Sequence, residues 1–105
     1  MNNMPAKLRK ECAEDPYYEK CCLHNKECSG RIEWHHALEF ANKQIQRKFA
    51  IVPACKHHHE NVAIFKKLFH WIALNRASEA ELEEFKKANF KREKEYLNKL
   101  FKKNI

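Results

Sequence analysis

The chain has 105 residues, of which 44% are hydrophobic and 33% are charged. This length allows one small domain and leaves no room for a second enzyme-sized domain. A core of this size gives only marginal stability, so a bound structural metal would be a useful addition. The net charge of +7 favours an anionic partner such as nucleic acid.

The chain lacks the signals of export. No apolar stretch is long enough to span a membrane, and the Met1–Pro5 segment has no apolar core of a signal peptide. We therefore expect an intracellular protein with no membrane partner. An odd number of cysteines in a reducing compartment favours thiols or metal thiolates over disulfides. These cysteines are Cys12, Cys21, Cys22, Cys28 and Cys55.

The first half of the chain predicts two short strands. Residues 1–20 form a polar arm in which Lys7 to Ala13 predict a short helix that ends before Pro16. After the turn at Ser29-Gly30, the alternating run 31–34 predicts a strand that ends at a histidine pair. Residues 37–48 follow as a loop with one or two helical turns. Residues 49–52 predict the second strand, stopped by Pro53.

The second half predicts two helices. After Cys55, apolar residues recur at helical spacing and predict an amphipathic helix that begins with three histidines. The apolar residues are Val62, Phe65, Leu68, Phe69 and Ile72. Ser78 and Glu81 match a capping box that opens a second helix running to about Lys103. One side of this helix carries Leu82, Phe85, Tyr96 and Leu100. If the small core leaves that side uncovered, it would pair with a second copy or a protein partner.

Four metal-ligating residues arrive as two pairs from the two ends of the predicted hairpin. Thiolate and imidazole both suit zinc, and two ligands from each side complete a tetrahedral site. The set predicted to bind a structural zinc is Cys22, Cys28, Cys55 and His58. Cys21 is an alternative to Cys22, and His57 or His24 is an alternative to His58.

The remaining histidines belong to a longer pattern. The run Ile32-Glu33-Trp34-His35-His36, a spacer, and then Ile51-Val52-Pro53-Ala54-Cys55 followed by His58-His59 resembles the HNH nuclease motif of the ββα-metal superfamily. The resemblance covers about residues 21–70. It implies an α+β fold with a small ββα-metal core, a structural zinc and an appended long C-terminal helix. The chain is expected to consist of an N-terminal arm (residues 1–20), an HNH domain (residues 21–76) and a basic C-terminal helix (residues 77–105).

The resemblance also implies a function and a role for each histidine. HNH domains of this size often occur in phage and mobile elements, so the resemblance implies a small phage-type endonuclease that hydrolyses DNA. His36 would be the general base, and His35 and His59 would hold a catalytic divalent cation, which could be Mg²⁺, Mn²⁺, Ni²⁺ or Zn²⁺. Strict strand alternation would send His35 and His36 to opposite faces, so the strand must twist or bulge at its end. Ala50 stands where the family has a loop-bracing Asn, and Asn42 is a candidate substitute.

Basic residues close to the motif are the expected contacts to the DNA backbone. They are Arg31, Lys43, Arg47 and Lys48. Phosphate contacts of this kind are independent of base sequence and sensitive to salt. The same charge and zinc ligands would also suit a zinc-stabilised nucleic-acid-binding module without catalysis. The histidines 35, 36 and 59 distinguish the two interpretations, because a structural zinc does not need them.

Overall fold

The computed structural model describes residues 4–102. Residues 1–3 of the predicted arm and Lys103, the predicted end of the last helix, lie outside this range. Within it, no helix combines the length and apolar character needed to cross a bilayer. The main elements are α1 (Ala6–Ala13), β1 (Ile32–His36), β2 (Glu39–Phe40), β3 (Lys43–Gln44), β4 (Ile51–Cys55), α2 (Lys56–Glu60), α3 (Val62–Arg76), α4 (Glu79–Glu84) and α5 (Phe90–Lys102).

The fold is α+β, as predicted, with two small antiparallel sheets. β1 pairs with β4 so that Ile32 lies opposite Cys55 and His36 lies opposite Ile51. β2 pairs with β3 in a separate two-stranded sheet. Every residue of β4 is buried, which places this strand between the helices and makes it the centre of the molecule.

The second predicted strand is shifted along the chain. It begins at Ile51 and continues through Pro53 instead of stopping there. The carbonyl of Pro53 accepts a hydrogen bond of 2.8 Å from the backbone N–H of Cys22, on the edge away from β1. The missing N–H of Pro53 therefore faces that same outer edge, and the ladder with β1 loses no hydrogen bond. Phe49 and Ala50 lie instead in a buried 3₁₀ turn before the strand.

The loop between the main strands is a hairpin where helical turns were predicted. β2 and β3 are joined through Ala41 and Asn42, both of which have positive φ. Two successive left-handed residues give a turn whose twist matches that of antiparallel strands. Only the 3₁₀ turn Lys48–Ala50 at the end of this segment is helical. The hairpin brings residues 44–46 back towards the end of β1.

The central helix is amphipathic, as its apolar spacing predicted. Phe69, Ala73 and Leu74 of α3 are buried in the main core. The three histidines do not begin this helix but form the separate short helix α2. Asn61 separates the two helices, and its side-chain amide donates 2.8 Å to the carbonyl of His57. This break lets the histidines adopt an orientation of their own.

The predicted long C-terminal helix is interrupted. The capping box at its start is present. The hydroxyl of Ser78 accepts a hydrogen bond from the backbone N–H of Glu81 at 3.1 Å, and the Glu81 carboxylate accepts one from the backbone N–H of Ser78 at 2.9 Å. However, α4 ends at Glu84, and a 3₁₀ turn leads to Asn89 with φ of 59° before α5 begins. Asn tolerates this left-handed conformation better than most residues.

The interruption changes which apolar residues face the core. Leu82 is buried as expected and Phe85 is partly buried, but α5 buries Phe90 and Leu97. Tyr96 is 55% exposed, and Leu100 is 38% exposed. The prediction that these last two share the apolar side with Leu82 is wrong, because the turn at Asn89 resets the helical phase.

The predicted arm is a packed part of the structure. Its short helix is present as α1, and its buried residues Leu8 and Cys12 contact Tyr18 and Ile51 in a second, smaller cluster. The hydroxyl of Tyr18 donates to the carbonyl of Lys48 at 2.7 Å. The arm thereby holds the chain in place just before β4.

Candidate metal centre and histidine pocket

Three thiols and one imidazole meet at the junction of β4 and α2. This Cys₃His cluster consists of Cys21, Cys28, Cys55 and His58, whose ligand atoms all lie within 4.8 Å of one another. Nδ1 of His58 lies 3.0 Å from the sulfur of Cys55, 3.5 Å from that of Cys21 and 3.7 Å from that of Cys28. Ligand atoms on the edges of a tetrahedral zinc site are about 3.5–3.8 Å apart. The donor set and the spacing therefore fit zinc.

The only glycine of the chain allows the first half of the cluster to approach the second. Gly30 has φ of +82°, and a Cβ placed on it would lie 2.6 Å from Cβ of Lys56. Any other residue would clash there and would also be strained. Behind this contact, the backbone N–H of His57 donates to the carbonyl of Ser29 at 3.2 Å. The segment that carries Cys28 is thus fastened to the start of α2.

The cluster is electrostatically suited to a cation. His58 is fully buried, and burial, followed by the charge of His57, lowers its pKa, so that the imidazole is neutral, as a metal ligand must be. Although burial opposes it, hydrogen bonds from the backbone of His58 and Ser29 lower the pKa of Cys55. The imidazole packs edge to face on Phe65, with ring centroids 4.9 Å apart. This packing fixes the direction of Nδ1.

Cys21, the alternative in the sequence, takes the place predicted for Cys22. The side chain of Cys22 packs against the main core, where burial, followed by the charge of Cys21, raises its pKa to about 12. Its sulfur is not one of the four clustered ligand atoms. His57 belongs to a different group, with Glu27 and His58, and His24 is exposed with a positive φ. Neither replaces His58.

A second site lies along β1. An open pocket of about 620 Å³, here called the histidine pocket, is lined by Arg31, Glu33, Trp34, His35, His36, Gln44 and His59. The rings of His35 and His59 lie 5.1 Å apart between centroids. His35 and His36 both line this pocket although they are consecutive in a strand. The three histidines predicted to act together therefore share one pocket.

The imidazole of His36 is oriented by a residue of the hairpin segment. Its Nε2 donates to the side-chain oxygen of Gln46 at 3.0 Å. Because an amide oxygen only accepts, Nε2 carries the proton and Nδ1 keeps its lone pair. The arrangement presents Nδ1 of His36 as a proton acceptor.

His59 is oriented by a carboxylate in the same way. Its Nδ1 donates to Oε1 of Glu33 at 2.8 Å, which leaves the Nε2 lone pair of His59 for a ligand. Hydrogen bonds from His59 and then Arg31 hold the pKa of Glu33 below its usual value. A carboxylate behind an imidazole is the common arrangement in metal sites.

The third imidazole is held in its neutral form. Burial, followed by electrostatic repulsion from the neighbouring imidazoles of His59 and His36, lowers the pKa of His35 to about 4. Neutral imidazole binds cations, whereas imidazolium does not. Within residues 4–102, neither His35 nor His59 belongs to a group of three or more Cys, His, Asp or Glu ligands within 4.8 Å of one another. A cation held by these two would keep positions open for phosphate and water.

Three of the four basic residues predicted to contact DNA are paired with carboxylates. Lys43 is exposed on β3, and Arg31 lines the histidine pocket, where it is paired with Glu33 at 2.9 Å. Arg47 is paired with Glu84 at 2.6 Å and with Glu81 at 3.3 Å, and Lys48 is paired with Asp15 at 2.8 Å. These two side chains tie neighbouring segments to the hairpin loop, so their charge is partly neutralised within the molecule.

The loop brace anticipated at Asn42 comes from Gln46. Asn42 lies exposed in the hairpin turn, and Ala50 is fully buried in the core. No sequence signal marked Gln46 as the partner of His36. Glu33 could have been found, because it lies two residues before His35 and alternate residues of a strand share a face.

Comparison of the chain with protein-family models, curated protein sequences and solved structures finds no match. What the histidine pocket does must therefore be inferred from its own residues and their geometry.

Proposed function

We propose that the protein is a metal-dependent DNA endonuclease of the HNH type, with β1, β4 and α2 as its ββα-metal core. One observation carries the proposal: His35, His36 and His59 line a single open pocket that is separate from the Cys₃His cluster. A zinc-binding module would have no need of this second group. The hydrogen bonds of Glu33 and Gln46 give two of its imidazoles different free nitrogens and therefore different roles.

In this proposal His36 is the general base. Its Nδ1 removes a proton from a water molecule, the water oxygen forms a bond to phosphorus, and the bond from phosphorus to the 3′ oxygen breaks. The products are a 5′-phosphate and a 3′ oxygen that takes a proton from solvent. His35 and His59 would hold a divalent cation, which when bound neutralises charge on the phosphate and the leaving oxygen.

The zinc in this proposal is structural. Cys21, Cys28, Cys55 and His58 would hold it, with all four protein positions filled and none left for substrate. His59 directly follows a zinc ligand in α2, and Cys55 ends the strand that pairs with β1. Binding zinc would therefore fix His59 relative to His35.

The proposal is tested by incubating zinc-loaded protein with supercoiled plasmid and Mg²⁺, Mn²⁺ or Ni²⁺, with EDTA as the control. We expect nicked or linear DNA that depends on the added cation and carries 5′-phosphate ends. Absence of cleavage with every cation would contradict catalysis. The alternative would then be a zinc-stabilised nucleic-acid-binding module, which the Cys₃His cluster and the net charge of +7 also support.

A further inference from the structure

A second pocket lies against the same histidine pair, on the side of α3. It has a volume of about 340 Å³, and His35 and His36 line both this pocket and the histidine pocket. Its far wall is formed by Lys66 and His70 of α3, with Glu39 also lining it. We call it the α3 pocket. The pair thus lies between two adjoining openings.

Lys66 and His70 are one helical turn apart and therefore project from the same face of α3. Lys66 is exposed, and no other residue of the described chain forms an ion pair with it. Nδ1 of His70 donates to Oε2 of Glu93 in α5 at 2.9 Å. This bond fixes the ring, and Nε2 can donate to a phosphate oxygen when the ring is the imidazolium partner of the Glu93 carboxylate.

We infer that Lys66 and His70 form a subsite for a phosphate group of DNA next to the scissile one. The inference rests on the proposed function, and it gives the strand a path from Arg31 in the histidine pocket, across the histidine pair, to the α3 pocket. Lys66 supplies a positive charge with no ion-pair partner among the described residues, and His70, as the imidazolium partner of Glu93, supplies an Nε2–H donor of fixed direction. Three of the residues first expected to bind DNA are paired with carboxylates, namely Arg31, Arg47 and Lys48.

The α3 pocket also contains an opposing charge. Glu39 is exposed at its border and repels a phosphate, whereas Glu93 is engaged by His70 and lies behind it. Removing the charge of Glu39 should therefore strengthen binding, and removing that of Lys66 should weaken it. Opposite changes at two residues of one pocket are not expected from a merely structural role.

The test measures binding of a short fluorescent DNA duplex by anisotropy over a range of salt concentrations. All proteins carry His36→Ala so that the duplex stays intact. The subsite variants are Lys66→Ala, His70→Gln and Glu39→Gln, and the matched control is Lys67→Ala, which removes an adjacent exposed lysine of α3 that does not line the pocket. Thermal unfolding of each variant checks that the fold is retained.

We expect Lys66→Ala to raise the dissociation constant about fivefold and to lower the slope of its logarithm against the logarithm of salt by about 1. His70→Gln should also weaken binding, Glu39→Gln should strengthen it, and Lys67→Ala should change it by less than about twofold. Equal effects of Lys66→Ala and Lys67→Ala would overturn the inference.

Plasmid cleavage by the protein with native His36 separates the two proposals. Cleavage together with equal lysine effects would refute the subsite and leave the nuclease standing. A selective effect of Lys66→Ala without cleavage would refute the nuclease, and with it a position beside a scissile phosphate, and would leave Lys66 as a phosphate contact of a DNA-binding module. Failure to bind the duplex at all would overturn both.

Discussion

Nε2 of His36 and the side-chain oxygen of Gln46 are joined by a hydrogen bond of 3.0 Å. The two residues come from different elements, since His36 ends β1 and Gln46 follows the β2–β3 hairpin. The bond selects the tautomer of His36 that has a free Nδ1. It therefore links the conformation of the hairpin segment to the direction in which the proposed base accepts a proton.

Replacing Gln46 tests this link. Gln46→Leu removes the acceptor and should lower the single-turnover rate of DNA cleavage about tenfold, with little change in DNA affinity. Gln46→Glu keeps an acceptor for Nε2–H and should retain most of the rate. Equal losses for both variants would show that the hydrogen bond does not orient His36.

Replacing Glu33 tests the carboxylate behind His59. Glu33→Gln weakens the acceptor for Nδ1–H and should reduce affinity for Mn²⁺ or Ni²⁺ in zinc-loaded protein about 10- to 100-fold. Isothermal titration calorimetry measures this affinity. Glu60→Gln is the control. Glu60 follows His59 in α2, but its side chain is 63% exposed and is paired with Lys56 and not with a histidine. Unchanged affinity in Glu33→Gln would contradict a supporting role.

Two adjacent cysteines distinguish the zinc ligand from its neighbour. Native protein and Cys22→Ala should each contain one zinc per chain by elemental analysis, and Cys21→Ala should lose most of it. Cys21→Ala should also unfold at lower temperature, because metal binding adds to folding free energy. Loss of zinc from Cys22→Ala with retention in Cys21→Ala would show that the cluster is assigned wrongly.

The low pKa of His35 predicts a pH dependence of stability. In the folded protein this pKa is about 4, below the ordinary value of 6.5, so between these values the unfolded chain binds more protons. The stabilising contribution of His35 is therefore present above pH 6.5 and is lost as the pH falls towards 4.

Urea unfolding of protein carrying one equivalent of zinc and no other divalent cation, at about pH 7 and about pH 5.5, measures this effect. Between these two pH values, the free energy of unfolding of the native protein should fall by about 1 kcal/mol more than that of His35→Asn. This value is reduced for the solvent that reaches the ring. Equal losses would mean that His35 is not held neutral by the fold.

Local sequence signals predicted the elements whose determinants are local. The capping box of Ser78 and the apolar face of α3 depend on residues within a few positions of each other, and both are present. The choice between Cys21 and Cys22 could not be made from spacing. It depends on the close approach of Gly30 to Lys56 and on the bond from Cys22 to the carbonyl of Pro53, which join distant parts of the chain.

Three features that the sequence did not predict also depend on contacts between distant parts of the chain. The strand continues through Pro53 because its backbone faces an outer edge, which only the tertiary structure defines. The break at Asn89 removes Tyr96 from the core face, although the apolar spacing fitted a continuous helix. Gln46 reaches His36 only because two left-handed residues turn the loop into a hairpin.

The central claim is that His36 is the base of a metal-dependent nuclease, and its most direct test is the single-turnover rate of plasmid cleavage by His36→Ala. The control is His24→Asn, which replaces an exposed histidine and keeps a side chain that tolerates its positive φ. We predict that His36→Ala lowers the rate by a factor of about 10² to 10⁴ while His24→Asn leaves it unchanged. Cleavage by His36→Ala at the native rate would contradict the claim.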